Sequence, residues 1–104
     1  MTIMYNDVIS LVTIEEIKNE VGDLIKSRTE SEVFTELKSV GQTEFYQAKA
    51  LGLKPELKFV LADYYDYNDE KIINYNGKDY RVLRTYRKNN ELEIVCEGDV
   101  NANT

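Results

Sequence analysis

The residue types that carry out most protein chemistry are scarce in this chain. It has 104 residues, no histidine and one cysteine, Cys96, which lies in the apolar run "LEIVC". Histidine is the commonest general acid or base and the commonest metal ligand. A lone thiol in apolar surroundings is typically a small core residue. We therefore predict that Cys96 is buried, that the chain has no catalytic or cofactor-binding residue, and that it is not an enzyme.

The stretch "DYYDYNDEK", residues 63–71, concentrates four carboxylates among three tyrosines. Such a stretch invites comparison with a calcium loop, but it lacks the spacing and the glycine of an EF-hand. Nothing in the sequence singles out two carboxylates for glycoside hydrolysis either. We predict a solvated turn between strands here and no metal site.

Residues 78–88 contain five basic residues and two tyrosines, a composition that resembles the basic and aromatic surface of a barrel that binds single-stranded nucleic acid. In a regular strand, however, Arg81 and Arg87 would lie on one face and Arg84 on the other. The net charge of -6 and the pI of about 4.7 also disfavour a phosphate backbone as the main partner. Segregation of acidic from basic segments instead suits contacts between identical subunits. The predicted interface residues are Glu44, Tyr46, Lys49, Arg81, Arg84 and Arg87.

The first part of the chain predicts two strands separated by an acidic segment. Residues 7–14, "DVISLVTI", are rich in β-branched residues, and residues 32–40, "EVFTELKSV", alternate apolar and polar side chains. Residues 15–30 have helix-like apolar spacing that Gly22-Asp23 interrupts, so we expect a hairpin-like or irregular excursion with a solvated, acidic surface.

A short helix should follow the second strand. Ser39 with Gln42 has capping-box spacing, and Thr43 is a second candidate for the N-cap. Gly52 and Pro55 should end the helix. The spacing predicts that Phe45, Ala48 and Leu51 lie against the sheet and that Glu44, Gln47 and Lys49 face outward.

The rest of the chain predicts a strand over residues 56–67 and then a three-stranded meander. Asn76-Gly77 and Asn89-Asn90 supply residues that tolerate the positive φ of tight hairpin turns. We expect one domain, residues 1–104, with a frayed tail from Gly98. The fold class is mainly β (α+β): a small antiparallel barrel or sandwich of about five strands with one short helix.

Four segments in this order resemble the head-closure proteins of tailed bacteriophages and prophages, also called head-tail connectors or stoppers. They are "EVFTELKSVGQTEFYQA", "GLKPELKF", "YNGKDYRVLRTY" and "ELEIVC", and the likeness covers residues 8–97. The resemblance implies a barrel-like subunit, made in the bacterial host cytoplasm, that forms a ring in the neck of the virion. That ring would close the DNA-filled head below the portal and dock the tail.

The resemblance also implies partners: the portal or adaptor proteins, a tail-completion protein and other copies of the chain. Packaged DNA would pass through the lumen without sequence-specific binding, and no membrane is involved. The segment that reaches into the lumen would be "GQTEFYQAKALGLK" or the acidic excursion before it. The alternative is a monomeric small barrel that binds single-stranded nucleic acid or a peptide. The lack of histidine counts against a hydrolase.

Overall fold

Six antiparallel strands form a closed barrel. We describe residues 5–99 of the chain from a computed structural model. The strand order around the barrel is β1-β2-β3-β6-β5-β4. A short helix, α1, and a 3₁₀ turn at Tyr64–Asp66 complete the chain. The predicted fold class is confirmed, with six strands. The elements are β1 Asp7–Lys18, β2 Leu24–Lys38, α1 Gln42–Ala50, β3 Pro55–Leu61, β4 Ile72–Tyr75, β5 Lys78–Lys88 and β6 Glu91–Asp99.

The core fills the barrel with alternate residues from its strands, as the period of a half-buried strand requires. Phe59 is at its centre and contacts the Tyr75 ring edge to face, with centroids 5.3 Å apart. The Thr35 hydroxyl, also buried, donates a hydrogen bond to the Val60 carbonyl at 2.9 Å. Cys96 is buried as predicted, and burial raises the pKa of its thiol to about 12. The core cluster comprises Ile9, Leu11, Phe59, Leu61, Ile73, Tyr80, Leu92, Ile94 and Cys96.

The predicted meander of β4, β5 and β6 is present, and asparagine-containing turns join its strands. Asn76 and Gly77 have φ values of 53° and 79°, and Tyr75 pairs directly with Lys78 across the turn. Positive φ at both central residues is the geometry that an Asn-Gly hairpin provides without strain. The next turn has Asn89 at φ 57°. Local turn chemistry therefore sets the register next to each of these turns.

The hairpin of β1 and β2 continues far beyond the barrel. Strand β4 pairs with β1 only at residues 10–12, and β3 pairs with β2 only at residues 35–38. Residues 13–29 therefore form a two-stranded ribbon with neither edge paired to another strand of residues 5–99, and we call this ribbon the arm. At its tip, the Asn19 side-chain oxygen accepts hydrogen bonds from the amides of Val21 and Asp23, and Gly22 has φ 88°. The excursion predicted after β1 is thus a regular hairpin, and the molecule measures 55 × 30 × 23 Å.

Two predicted boundaries were wrong. Strand β3 ends at Leu61, because the Asp63 carboxylate accepts a hydrogen bond from the Tyr65 amide at 2.9 Å and starts a 3₁₀ turn. Residues 63–71 therefore connect β3 to β4 rather than extend a strand. The frayed tail was placed too early, because Gly98 and Asp99 belong to β6. Residues 100–104 of the expected tail lie outside the described residues.

Candidate assembly surfaces

Helix α1 lies on the outside of the barrel and has no buried residue. Its N-cap is Gly41, which has extended backbone angles and makes no side-chain capping bond. The predicted caps at Ser39 and Thr43 were therefore wrong, because the helix begins at Gln42, so that Thr43 lies inside it and Ser39 lies two residues before its cap. A short helix without a capping side chain depends on tertiary contacts for its stability.

Those contacts turn the helix away from the predicted orientation. Glu44, expected to face outward, is half-buried and points at the barrel. Phe45 and Leu51, expected to face the sheet, are 37% and 78% exposed. Ala48 is half-buried as predicted, and Lys49 is exposed as predicted. The prediction failed for Glu44 because basic side chains on the strands below attract its carboxylate.

An ion-pair network holds Glu44 in this position. The Arg84 Nε donates to Glu44 Oε2 at 2.6 Å, and Arg84 Nη2 also contacts this oxygen. The Lys58 Nζ lies 3.3 Å from Glu44 Oε1 and 3.7 Å from Glu93 Oε1. Because Arg84 is 45% exposed, solvent screening limits its pair to about 0–1 kcal/mol. Two of the six predicted interface residues, Glu44 and Arg84, are therefore paired with each other.

The arginines of β5 are distributed differently from the prediction because the strand is bulged. Arg81 pairs with Glu97 and Arg84 with Val95, so Leu83 is an extra residue on β5 between them. A bulge reverses the alternation of the residues beyond it. Arg81 and Arg84 consequently share the outer face, whereas Arg87 is opposite the core residue Leu92. Arg81 forms an ion pair with Glu97 across the same face.

Arg87 is engaged at one end of the barrel. Its guanidinium carbon lies 3.5 Å from the centroid of the Tyr64 ring, and its Nε donates to the Asn89 carbonyl at 3.0 Å. This is a cation–π contact. The predicted basic cluster is therefore split between three separate partners, namely Glu44, Glu97 and Tyr64.

The two other predicted interface residues, Tyr46 and Lys49, are exposed on α1. The Tyr46 ring contacts the Phe45 ring edge to face, with centroids 5.7 Å apart.

Among the described residues, the arm carries the largest group of exposed apolar side chains, whereas the sequence analysis predicted an acidic, solvated surface for this segment. Arg28 fixes its base to the barrel through two hydrogen bonds to Asp79, at 2.8 and 3.0 Å, and a third to Glu30. The pair with Asp79 is the main cause that raises the pKa of Arg28 above its ordinary value.

The sequence does contain a signal for a long hairpin at the arm, namely β-branched residues on both sides of an Asn-x-x-Gly-Asp turn. The exposed apolar residues of the arm are Ile14, Ile17, Val21, Leu24 and Ile25.

Among residues 5–99, no helix has the length and apolar character to cross a membrane. Within the same described residues, no group of three or more histidine, cysteine, aspartate or glutamate side chains is arranged to hold a metal ion.

Comparison with known proteins places the fold and nothing more specific. No family model matches the chain, and no curated protein matches it. Among solved structures, the chain is similar to protein SF1141 from Shigella flexneri 2a, known from a solution structure, with a TM-score of 0.74 and 14% sequence identity. The match covers 93% of this chain and 95% of that one. At this identity the likeness shows a shared fold over nearly the whole length.

Proposed function

We propose that this protein is a ring-forming head-closure component of a tailed bacteriophage or prophage. In this role it lies below the portal in the neck of the virion, closes the DNA-filled head and presents a docking surface to the tail. The sequence resemblance suggests the class. The observation that carries the proposal is the arm, a projecting ribbon with five apolar side chains that are 47–79% exposed.

A free two-stranded ribbon is marginally stable in water, and three or more strands or a packing partner are needed for independent stability. Ile17 and Ile25 face each other across the arm yet are each 47% exposed. In a ring of subunits the barrels form the wall, and arms that project inward meet across the channel. Such an assembly supplies the contacts that one copy lacks.

The charge of the arm suits a channel through which DNA passes. The arm contains four acidic side chains against three basic ones, and one of the basic ones, Arg28, is paired with Asp79 of the barrel. An acidic lumen repels the phosphate backbone, so that DNA slides rather than binds. The paired arginines of β5 also weigh against the single-stranded nucleic-acid alternative, which needs free cations beside stacking aromatics.

The outward face of α1 is a candidate contact between neighbouring subunits in the ring wall. Tyr46 is 65% exposed, Lys49 is also exposed, and Leu51, at the C-cap of the helix, is 78% exposed. Tyrosine is enriched in protein interfaces because it buries a large area and keeps a polar tip. The portal or adaptor protein and the tail-completion protein would contact the two ends of the ring.

An arm-shortened protein tests the proposal. Residues 15–27 are replaced by an Asn-Gly turn that joins Ile14 to Arg28, which retains the anchor to Asp79. Phage or prophage particles that carry this variant should fill their heads and then leak DNA or fail to join tails. A full-length Glu20→Gln variant is the matched control and should give infectious particles. Infectious particles from the arm-shortened variant, or normal particles from a strain that lacks the gene, would contradict the proposal.

A further inference from the structure

The outer edge of β2 is a long unpaired strand edge. Strand β3 begins to pair with β2 at Thr35, so the preceding residues 24–34 have β1 on one side and no strand of the described chain on the other. An exposed edge of this kind presents a row of backbone donors and acceptors to any strand that can approach. Most of these residues are exposed, including Leu24 at 68% and Phe34 at 67%.

The sequence of this edge is complementary to itself when it is read in opposite directions from Thr29. Residues at equal distances from this centre are either both apolar, oppositely charged or both serine. The pairs are Leu24 with Phe34, Ile25 with Val33, Lys26 with Glu32, Ser27 with Ser31, and Arg28 with Glu30. Two antiparallel copies of the edge would therefore place each side chain opposite a suitable partner.

Directly opposite residues in an antiparallel pair share one face of the sheet, and opposite charges or apolar pairs there are favourable. One face would carry Leu24 against Phe34 and Lys26 against Glu32, and the other would carry Ile25 against Val33. Neighbouring two-fold registers are unfavourable. A centre at Arg28 or at Glu30 places that charged residue opposite its own copy, whereas a centre at Thr29 places a neutral hydroxyl there.

We propose that the free protein forms a two-fold symmetric dimer in which the β2 edges of two copies pair antiparallel about Thr29. The product is a four-stranded sheet in the order β1-β2-β2-β1, an isologous form of strand addition. Lys26 and Glu32 form no ion pair with another described residue, so both are available to the second copy. Arg28 already contacts Asp79 and Glu30, so the two Lys26–Glu32 pairs carry most of the charge selectivity.

The dimer goes beyond head closure and does not rest on it, because it concerns the purified protein. It also gives the arm a partner before assembly. A cyclic ring needs head-to-tail contacts, which differ from the self-complementary contact of a two-fold dimer. The dimer would therefore be a form of the unassembled chain, and its arms would separate when the ring forms.

Cysteine cross-linking tests the register. In the proposed dimer the two Thr29 positions are opposite each other, with Cα atoms about 4.5–5.5 Å apart, a separation that a disulfide spans. A Thr29→Cys variant should form a covalent dimer under mild oxidation. Ser27→Cys alone should not, because its two copies would be offset by about 13 Å along the strands. A mixture of Ser27→Cys and Ser31→Cys proteins should cross-link, and buried Cys96 does not compete.

Charge variants test the same contact without new thiols. Lys26→Glu alone and Glu32→Lys alone each place two like-charged pairs in the dimer and should weaken it by about tenfold or more. A mixture of the two variants should dimerise, because every introduced charge then meets its opposite. The double variant Lys26→Glu/Glu32→Lys should also dimerise. Lys54→Glu and Asp66→Lys, exposed and outside β2, are controls that should leave dimerisation unchanged.

Sedimentation velocity measures these dimers as a function of concentration. The proposal is supported if the mixture and the double variant recover the dimer that the single variants lose. It is overturned if the parent chain is monomeric up to its solubility limit, or if Thr29→Cys cross-links no faster than Ser27→Cys. It is also overturned if the control substitutions disrupt the dimer as much as Lys26→Glu does.

Discussion

Strands β1 and β2 run through both the barrel and the arm, but other strands cover them only in the barrel. Ile9 and Leu11 on β1 are each 1% exposed, because β4, β3 and the rest of the barrel surround them. Six residues beyond Leu11, on the same alternation, Ile17 is 47% exposed. Strand β1 continues beyond the point at which the other strands of the barrel cover it. Apolar alternation therefore predicts a strand, but it does not tell whether the same chain or another one covers it.

The barrel and the arm differ in how the edges of their strands are paired. The barrel satisfies its own edges by closure, which leaves each strand with two neighbours over at least part of its length. The arm has two strands, neither of which pairs with a third strand in the described part of the chain, and such ribbons need additional contacts. We expect substitutions in the barrel to change the free energy of unfolding and substitutions in the arm to change association.

The largest expected loss of stability comes from the centre of the barrel. Phe59 is 0% exposed and packs edge to face on Tyr75. Phe59→Ala should lower the free energy of unfolding by about 3–5 kcal/mol, because it removes a buried ring and leaves a cavity. Urea denaturation measures this loss. A loss of less than about 1 kcal/mol would show that the barrel interior is not the main source of stability.

A smaller loss is expected at the turn between β4 and β5. Gly77 has φ 79°, and a β-branched residue at positive φ is strained by roughly 1–2 kcal/mol. Gly77→Val should destabilise the fold by about this amount in thermal or urea unfolding. Gly77→Asn is the matched control and should cost less, because asparagine tolerates this conformation. Equal stability of the valine variant and the parent would argue against the turn geometry.

The network that holds α1 should contribute less again. Arg84→Glu removes the partner of Glu44 and puts a like charge beside it, at a cost of about 1 kcal/mol because the site is partly exposed. The barrel should stay folded while proteolysis within α1 becomes faster. Adding Glu44→Lys to Arg84→Glu should restore only part of the resistance to proteolysis, because it recovers the pair between positions 44 and 84 but puts a lysine beside Lys58. Parent-like proteolysis of the single variant would show that the network does not hold the helix.

The smallest effect on the monomer is expected in the arm. Ile17→Ala should change the free energy of unfolding by less than about 0.5 kcal/mol at low protein concentration, because Ile17 is 47% exposed and lies outside the barrel core. Leu11→Ala on the same strand is the matched comparison and should cost about 2–5 kcal/mol. Urea unfolding of both variants sharpens the contrast between arm and barrel. A loss at Ile17 as large as that at Leu11 would remove it.

The features that sequence predicted well are those decided locally. Asn76-Gly77 encodes its own turn, and the alternation of residues 32–38 encodes a strand. The features that it missed depend on distant residues. The orientation of α1 is decided by Lys58 and Arg84, which lie on strands that follow the helix. The bulge at Leu83 changes the face of Arg84 through the register with β6, which no spacing within β5 reveals.

The most direct test of the contrast between barrel and arm is backbone hydrogen exchange at several protein concentrations. We predict that the amides of β3 and β6 are protected to the same degree at every concentration, because the barrel closes within one copy. Alternate amides of residues 24–34, those that point away from β1, should exchange rapidly in dilute protein and slowly in concentrated protein. Exchange in residues 24–34 that does not change with concentration would contradict the claim that a second copy completes the arm.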